Sequence, residues 1–263
     1  TSSRHAKAGH ILESLDNLLA EVVEGNRAMV TAGFPGGNSA AAVNGCWQCH
    51  GSKVKVLKDG ELDPATYPNT GIGRINPDGS EGSCSACHSR HGFSTALARE
   101  PDNCGKCHLG PDHPQKEIYE ESKHGIAFKA YRDEMNLDSS KWVVGVDYTA
   151  APTCATCHMG ATKNQPSSHN VGDRISWTNR PPISVRPEVM DAKMGLASAD
   201  LKWDTRRENM VDVCNSCHSE DHTEKFYIQY DALIELYNEK FAKPIAAVME
   251  DAVAADGASL QAA

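Results

Sequence analysis

The sequence predicts a mainly α-helical fold with long irregular loops, a long C-terminal helix and a core filled largely by bound prosthetic groups. Three observations predict it. Apolar residues recur at helical spacing in the first and last segments, strand-like segments are few, and a C-x-x-C-H motif occurs five times at irregular intervals. The 263 residues, with 40% apolar and 23% charged side chains, are ordinary for a globular protein.

All ten cysteines belong to the five motifs. Two thiols three positions apart can reach the two vinyl groups of one haem, and the histidine that follows can ligate its iron from below. Each motif therefore predicts one covalently bound haem c, five in this chain, and the fold class is a multihaem cytochrome c with a haem-filled core. The motif residues are Cys46, Cys49, His50; Cys84, Cys87, His88; Cys104, Cys107, His108; Cys154, Cys157, His158; and Cys214, Cys217, His218.

Zinc knuckles and disulfides also use C-x-x-C pairs. Neither needs a histidine directly after the second cysteine, and here all five pairs have one. The pattern therefore favours haem over zinc or disulfides. Because haem is attached covalently outside the cytoplasm, we expect a periplasmic or equivalent extracytoplasmic location.

The overall charge of −9 argues against a nucleic-acid partner. No stretch approaches eighteen uninterrupted apolar residues, so the sequence predicts no membrane span. An acidic surface can steer a positively charged redox partner without identifying it.

The pattern predicts helices at 10–24, from Pro111 to about Met135 with Asp112 as its cap, and from about Thr223 towards Val253, with a kink at Pro244. Residues 57–82 and 160–195 are rich in Gly and Pro and predict irregular loops. Strand signals are limited to Lys53–Leu57 and Trp142–Val146. We divide the chain into a multihaem domain, 1–222, and a C-terminal helical segment, 223–263.

Seven histidines lie outside the motifs. A haem with histidine on both faces transfers electrons, whereas a haem with an open face can bind substrate. We expect six of the seven to be distal ligands: His5, His10, His91, His124, His169 and His222. The seventh, His113, follows Asp112; a carboxylate beside an imidazole suits proton acceptance near neutral pH, while a helix cap and a distal ligand are the alternative roles of this pair.

Several runs resemble the octahaem hydroxylamine oxidoreductase family, which includes hydrazine dehydrogenases. They are Asn44–Gly51, Asn103–Gln115, Thr153–Met159, Gly172–Trp177 and Tyr230–Lys243, and together they extend over most of the chain. The resemblance implies eight haems, seven of them bis-histidine carriers, in a homotrimer. The fourth haem of the family is catalytic and five-coordinate, and in hydroxylamine oxidisers a tyrosine of a neighbouring subunit modifies it.

If the five motifs are the last five of that family, the haem of Cys46, Cys49 and His50 is the modified catalytic one, and Asp112 and His113 are the catalytic pair. The resemblance then implies oxidation of hydroxylamine to nitric oxide or nitrite, with electrons passing to a soluble cytochrome. Three upstream haems and the tyrosine region have no counterpart here, so we expect a piece of a longer protein, with a natural five-haem protein as the alternative.

Three other functions stay open. The same site could oxidise hydrazine, since both substrates are small nitrogen nucleophiles. A relative without the tyrosine could reduce nitrite, although pentahaem ammonia-forming nitrite reductases commonly have lysine in one motif where all five here have histidine. A chain with every iron six-coordinate would be an electron-transfer cytochrome without an enzymatic site.

Overall fold

The computed structural model describes residues 49–67, 69–89, 91–111, 113–177, 182–183 and 201–256. The predicted helix at 10–24 lies outside them, as do Cys46, His5, His10 and Asp112. The chain forms two compact units, one up to residue 160 together with 167–171, and one comprising 161–166 and the residues from 172 onwards. The boundary predicted at residue 222 stays a prediction.

The first unit is built from short helices and long connections. Its described helices are α1 (Thr95–Arg99), α2 (Pro101–Cys104), α3 (Gln115–Glu121), α4 (Lys123–Tyr131) and α5 (Cys154–His158), with 3-10 turns at Cys84–Ala86 and Arg132–Met135. Three of the five motifs therefore lie in or beside a helical turn of five residues or fewer.

The single helix predicted from Pro111 to Met135 is interrupted at Ser122. The backbone of Ser122 is extended, and its hydroxyl accepts from the N–H of Gly125 while it donates to the carbonyl of Tyr119. One side chain thus ends α3 and caps α4. Gly125 is needed at this corner because a Cβ there would lie 2.0 Å from the Tyr119 carbonyl oxygen.

The predicted loop at 57–82 is irregular, as expected, and it folds back on the first motif. Isolated bridges join Lys53 to Ile75 and Val56 to Leu62, so the predicted strand Lys53–Leu57 is wrong. At the predicted strand Trp142–Val146 the structure has one bridge, from Val144 to Tyr148. In both segments the pairing consists of single bridges, so neither forms a β-ladder.

The second unit contains the long helices. They are α6 (Trp203–Asn215), α7 (Glu220–Tyr237) and α8 (Lys243–Asp256), with a π-helical turn at Asn238–Ala242 and a 3-10 turn at Val171–Arg174. The C-terminal helix begins three residues before the predicted start because the Ser219 hydroxyl accepts from the N–H of His222. The irregularity predicted at Pro244 corresponds to the π-helical turn that lies just before it. Because proline has no backbone N–H, Pro244 cannot donate a hydrogen bond to the preceding turn.

The described chain is mainly helical, and its sheet structure consists of isolated bridges. Small groups of buried side chains, such as Met135, Trp142 and Tyr148, form its core. Within the part of the chain that the structure describes, no helix is long and apolar enough to cross a membrane.

Candidate haem sites

Three of the described motifs share one backbone turn. In the second, third and fifth motifs, the N–H groups of the second cysteine and of the histidine both donate to the carbonyl of the first cysteine, at 2.9–3.2 Å. In the fourth motif, α5 spans all five residues, with Thr153 and Thr156 forming a capping box at its start. Each turn fixes the two thiols and the imidazole relative to one another, as covalent haem attachment requires.

The third motif lies between the first and the fourth. The Cys104 thiol donates a hydrogen bond to the sulfur of Cys154, and this bond together with burial raises the pKa of Cys104. Burial and a hydrogen bond with Cys49 raise the pKa of Cys107 to about 12. The points at which three haems would be attached are therefore in direct contact.

A buried asparagine joins the second and third motifs. The side-chain amide of Asn103, only 4% exposed, donates to the carbonyl of Cys87 at 2.7 Å. Its oxygen accepts from the ammonium group of Lys106 at 2.6 Å. Asn103 thus ties the backbone of one motif to a side chain of the next. Its position before Cys104 gave no sign of this contact, because the partner lies sixteen residues away in the chain.

Two pairs of imidazoles have the separation that a shared iron requires. A metal–nitrogen bond of about 2 Å on each side, with each ring centroid roughly 1.1 Å behind its nitrogen, puts the centroids about 6 Å apart. The centroids of His88 and His169 are 6.5 Å apart, and those of His108 and His113 are 6.4 Å apart. Burial lowers the pKa of His108, although a hydrogen bond that its imidazole donates to the side-chain oxygen of Gln115 raises it, and the neutral ring is the form that binds a metal.

One further expected ligand has a different arrangement. His218 and His222 are stacked with centroids 4.5 Å apart, too close for an iron between them. His222 is therefore not placed to complete the haem of its own motif. His91 and His124 are exposed. His5, His10, Asp112 and Cys46 lie outside the described residues, so the structure places only His113 of the expected catalytic pair.

The donor set fits haem better than zinc. A zinc knuckle gathers four sulfur or nitrogen ligands around one point. Among the described residues, no three or more histidine, cysteine or acidic side chains converge in that way. The second motif instead offers two thiols in one turn and a pair of imidazoles at the iron spacing. We conclude that the residues present fit covalent haem.

Comparison with known proteins agrees with this donor set. A family described as "Seven times multi-haem cytochrome CxxCH" matches residues 76–258. A probable nitrite reductase–hydroxylamine oxidoreductase fusion protein of Kuenenia stuttgartiensis is 35% identical over a 215-residue alignment that covers 67% of this chain and 25% of that protein.

Two solved structures are also similar. A hypothetical multihaem protein superposes with a TM-score of 0.67 at 28% identity, over 82% of this chain and 55% of that one. A reducing HAO-like protein complex of Kuenenia stuttgartiensis has a TM-score of 0.50 at 25% identity, over 67% of this chain and 37% of that one. The chain thus spans a quarter to about half of the length of these relatives.

The class that the motifs and fold define is the multihaem c-type cytochromes. The chain belongs to the multihaem cytochrome C-x-x-C-H family and is one of its hydroxylamine oxidoreductase-like members. This confirms the predicted family and the predicted fold class.

Proposed function

We propose that this chain is the haem-bearing part of an oxidoreductase that oxidises hydroxylamine to nitric oxide or nitrite. One observation carries the proposal: the thiols of the third motif contact those of the first and the fourth. Haems attached at these points would lie close enough to pass electrons away from a reaction at the first motif. A bound haem supplies an iron that accepts those electrons.

The first motif is held by the loop that follows it. The N–H groups of Ile72 and Gly73 donate to the carbonyls of Cys49 and His50, both at 3.0 Å. Gly51, with φ +74°, allows this approach, since a Cβ there would lie 2.4 Å from the backbone nitrogen of Arg74. The proposed role of this contact is to fix the His50 imidazole as the proximal ligand of the catalytic, modified haem.

Asp112 and His113 are the proposed proton acceptors. The sulfur of Cys49 lies 3.9 Å from the carbonyl oxygen of Lys106, so the segment after the third motif begins beside the first motif. His113 is exposed, as access to a substrate requires. Its spacing from His108 also supports the alternative role, distal ligand to the third haem.

His113→Gln separates these two roles. As a proton acceptor, His113 contributes roughly 10²–10⁴-fold to the rate, so the variant is expected to lose that much of kcat while its low-spin haem spectrum is unchanged. If His113 is instead a distal ligand, one low-spin haem becomes high-spin. Lys123→Gln, which places the same glutamine at an exposed position of α4, is the control for a nonspecific effect of the substitution.

The remaining histidines outside the motifs are proposed as distal ligands. For the second haem we propose His169, because its ring has the iron spacing from His88. His5, His10, His91, His124 and His222 are proposed for other haems of the protein. His169→Ala is expected to convert one low-spin haem to high-spin, and retention of every low-spin signal would contradict the assignment.

Assembly into a homotrimer is supported by the C-terminal helices. Exposed apolar side chains recur along these helices from residue 226 to residue 249, so that much of their surface is apolar: Phe226, Ile228, Leu233, Leu236, Phe241, Ile245, Val248 and Met249. Surfaces of that extent mark interaction sites. We propose that copies of the chain meet there, in a periplasmic or equivalent compartment, and that a soluble cytochrome accepts the electrons.

A second candidate is reduction of nitrite or a related species. The names of two relatives favour it, one a probable nitrite reductase–hydroxylamine oxidoreductase fusion and the other a reducing HAO-like complex. Both candidates use the same open haem and the same proton-exchanging side chains. Oxidation would pass protons to these side chains, and reduction would take protons from them.

The deciding experiment uses the purified protein with its haems attached. The mass tests the number of covalent haems, and turnover is measured with hydroxylamine, hydrazine or nitrite in turn. Turnover of hydroxylamine with a cytochrome acceptor is expected. Faster hydrazine oxidation, or nitrite reduction alone, would replace the proposed substrate. If every haem is low-spin and none of the three substrates is turned over, the protein is an electron-transfer cytochrome.

A further inference from the structure

The fourth motif lies on a helix too short to hold its own orientation. Helix α5 has five residues, and helices of that length are unstable without tertiary contacts. The two thiols and the imidazole of the motif are at its first, fourth and fifth positions. The direction in which His158 points therefore depends on whatever fixes α5 from outside.

Thr156, between the two cysteines, is the most buried side chain of this helix. It is 0% exposed, and its hydroxyl oxygen accepts from the N–H of Thr153 at 3.0 Å. The hydroxyl of Tyr148, itself 4% exposed, donates to the same oxygen at 2.9 Å. The Thr153–Thr156 cap is local to α5, whereas the bond from Tyr148 connects the helix to a different part of the unit.

Tyr148 is itself held in a rigid stack. Its ring packs on Trp142 with centroids 4.5 Å apart and planes 18° apart, and the indole N–H of Trp142 donates to the carbonyl of the fully buried Met135. The guanidinium of Arg99 lies 4.7 Å from the centre of the Trp142 ring and donates to the carbonyls of Leu137 and Ser139. The phenol oxygen therefore has little freedom to follow a shift of α5.

We infer that Tyr148 is a positioning residue for the fourth haem: through Thr156 it fixes the rotation of α5 and hence the plane of the His158 imidazole. The orientation of an axial imidazole and its surroundings adjust the electronic properties of the iron. Tyr148 would thus set the potential of one haem in the electron path without touching the haem. The inference rests on the proposed haem attachment at Cys154 and Cys157.

The test compares Tyr148→Phe, Thr156→Val and Thr156→Ser in the intact protein. Midpoint potentials are measured by spectroelectrochemistry, low-spin signals by electron paramagnetic resonance, and haem content by mass. Tyr148→Phe removes only the hydroxyl that donates the hydrogen bond. Thr156→Val keeps the shape of the side chain but removes the oxygen that accepts it, whereas Thr156→Ser keeps that oxygen. We expect Tyr148→Phe and Thr156→Val to move the potential and the low-spin signal of the same single haem, and Thr156→Ser to match wild type.

A double variant, Tyr148→Phe with Thr156→Val, is expected to shift that haem no further than Thr156→Val alone, because Val already removes the bond from Tyr148 together with the bond from the N–H of Thr153. If all potentials and signals stay at wild-type values while the unfolding midpoint falls, Tyr148 is merely structural and the inference is wrong. If Tyr148→Phe does not fold, the Val and Ser variants of Thr156 decide alone. If the mass of the wild-type protein shows no haem at Cys154 and Cys157, the proposed attachment itself is wrong.

Discussion

The two units hold their motifs by different means. In the first unit, the motifs lie on short turns fixed by close backbone contacts and buried hydroxyls, as at Gly51 and Thr156. In the second unit, the fifth motif begins in the last turn of the thirteen-residue helix α6, and polar side chains of α6 hydrogen-bond to its surroundings. The main hydrogen bonds are made by the carboxylate of Asp212, which accepts from Thr162, and by the guanidinium of Arg207, which donates to Asp231.

This difference indicates where each unit is vulnerable. Backbone contacts leave no room for added atoms, so the first unit should respond most strongly to steric change. Hydrogen-bonded charges depend on ionisation, so the second unit should respond to pH and to neutral substitutes. Three experiments test this contrast.

The largest effect is expected from Gly51→Ala in the first unit. A left-handed backbone costs a non-glycine residue about 1–2 kcal/mol, and the overlap of the new Cβ with the backbone nitrogen of Arg74 adds about 1–3 kcal/mol. Thermal unfolding should show the combined loss of stability, together with a change at the first motif.

Gly60→Ala is the matched control for that variant. Gly60 also has a positive φ, +90°, but a Cβ there meets nothing within 4 Å. It should therefore show the conformational cost alone. Equal losses at the two glycines would mean that close backbone packing does not distinguish the first motif.

A smaller effect is expected from Asp212→Asn in the second unit. Its carboxylate accepts from Thr162, Asn164 and Gln165, and an amide cannot accept all three bonds. Burial alone would raise the pKa of Asp212, but these hydrogen bonds and the nearby Arg174 lower it overall. We expect a loss of about 1 kcal/mol at neutral pH, reduced by partial exposure of the site.

The pH dependence of that loss follows from the lowered pKa. A carboxyl with a depressed pKa in the folded state contributes stability that is fully present above its unfolded value of about 3.9 and is lost as the pH falls through the folded value. The difference between wild type and Asp212→Asn should therefore shrink below about pH 4. A difference that stays constant with pH would show that ionisation of Asp212 does not stabilise the unit.

The sequence identified the haem motifs, the irregular loop at 57–82 and the C-terminal helix because each has a local pattern. It did not predict α6, whose buried face includes Arg206 and whose side chains Arg207 and Asp212 bond to partners elsewhere in the chain. It also missed the break at Ser122, since serine is tolerated within helices and only its contacts reveal the cap. The roles of Asn103 and Tyr148 were invisible for the same reason: both depend on tertiary contacts.

The smallest effect is expected from Lys225→Met, and its comparison with Arg207→Met tests whether the charges of the second unit matter only where they are enclosed. Arg207 makes two hydrogen bonds to Asp231, and its guanidinium lies 4.7 Å from the centre of the Tyr227 ring. Lys225 pairs with Asp221 on the same helix, with both side chains about two-thirds exposed or more. We expect a loss of about 1 kcal/mol for Arg207→Met and less than about 0.5 kcal/mol for Lys225→Met, measured by thermal unfolding. If Arg207→Met and Lys225→Met lose similarly little stability, the Arg207–Asp231 pair does not stabilise the unit, and the hydrogen bonds of Asp212 alone hold α6, where the fifth motif begins.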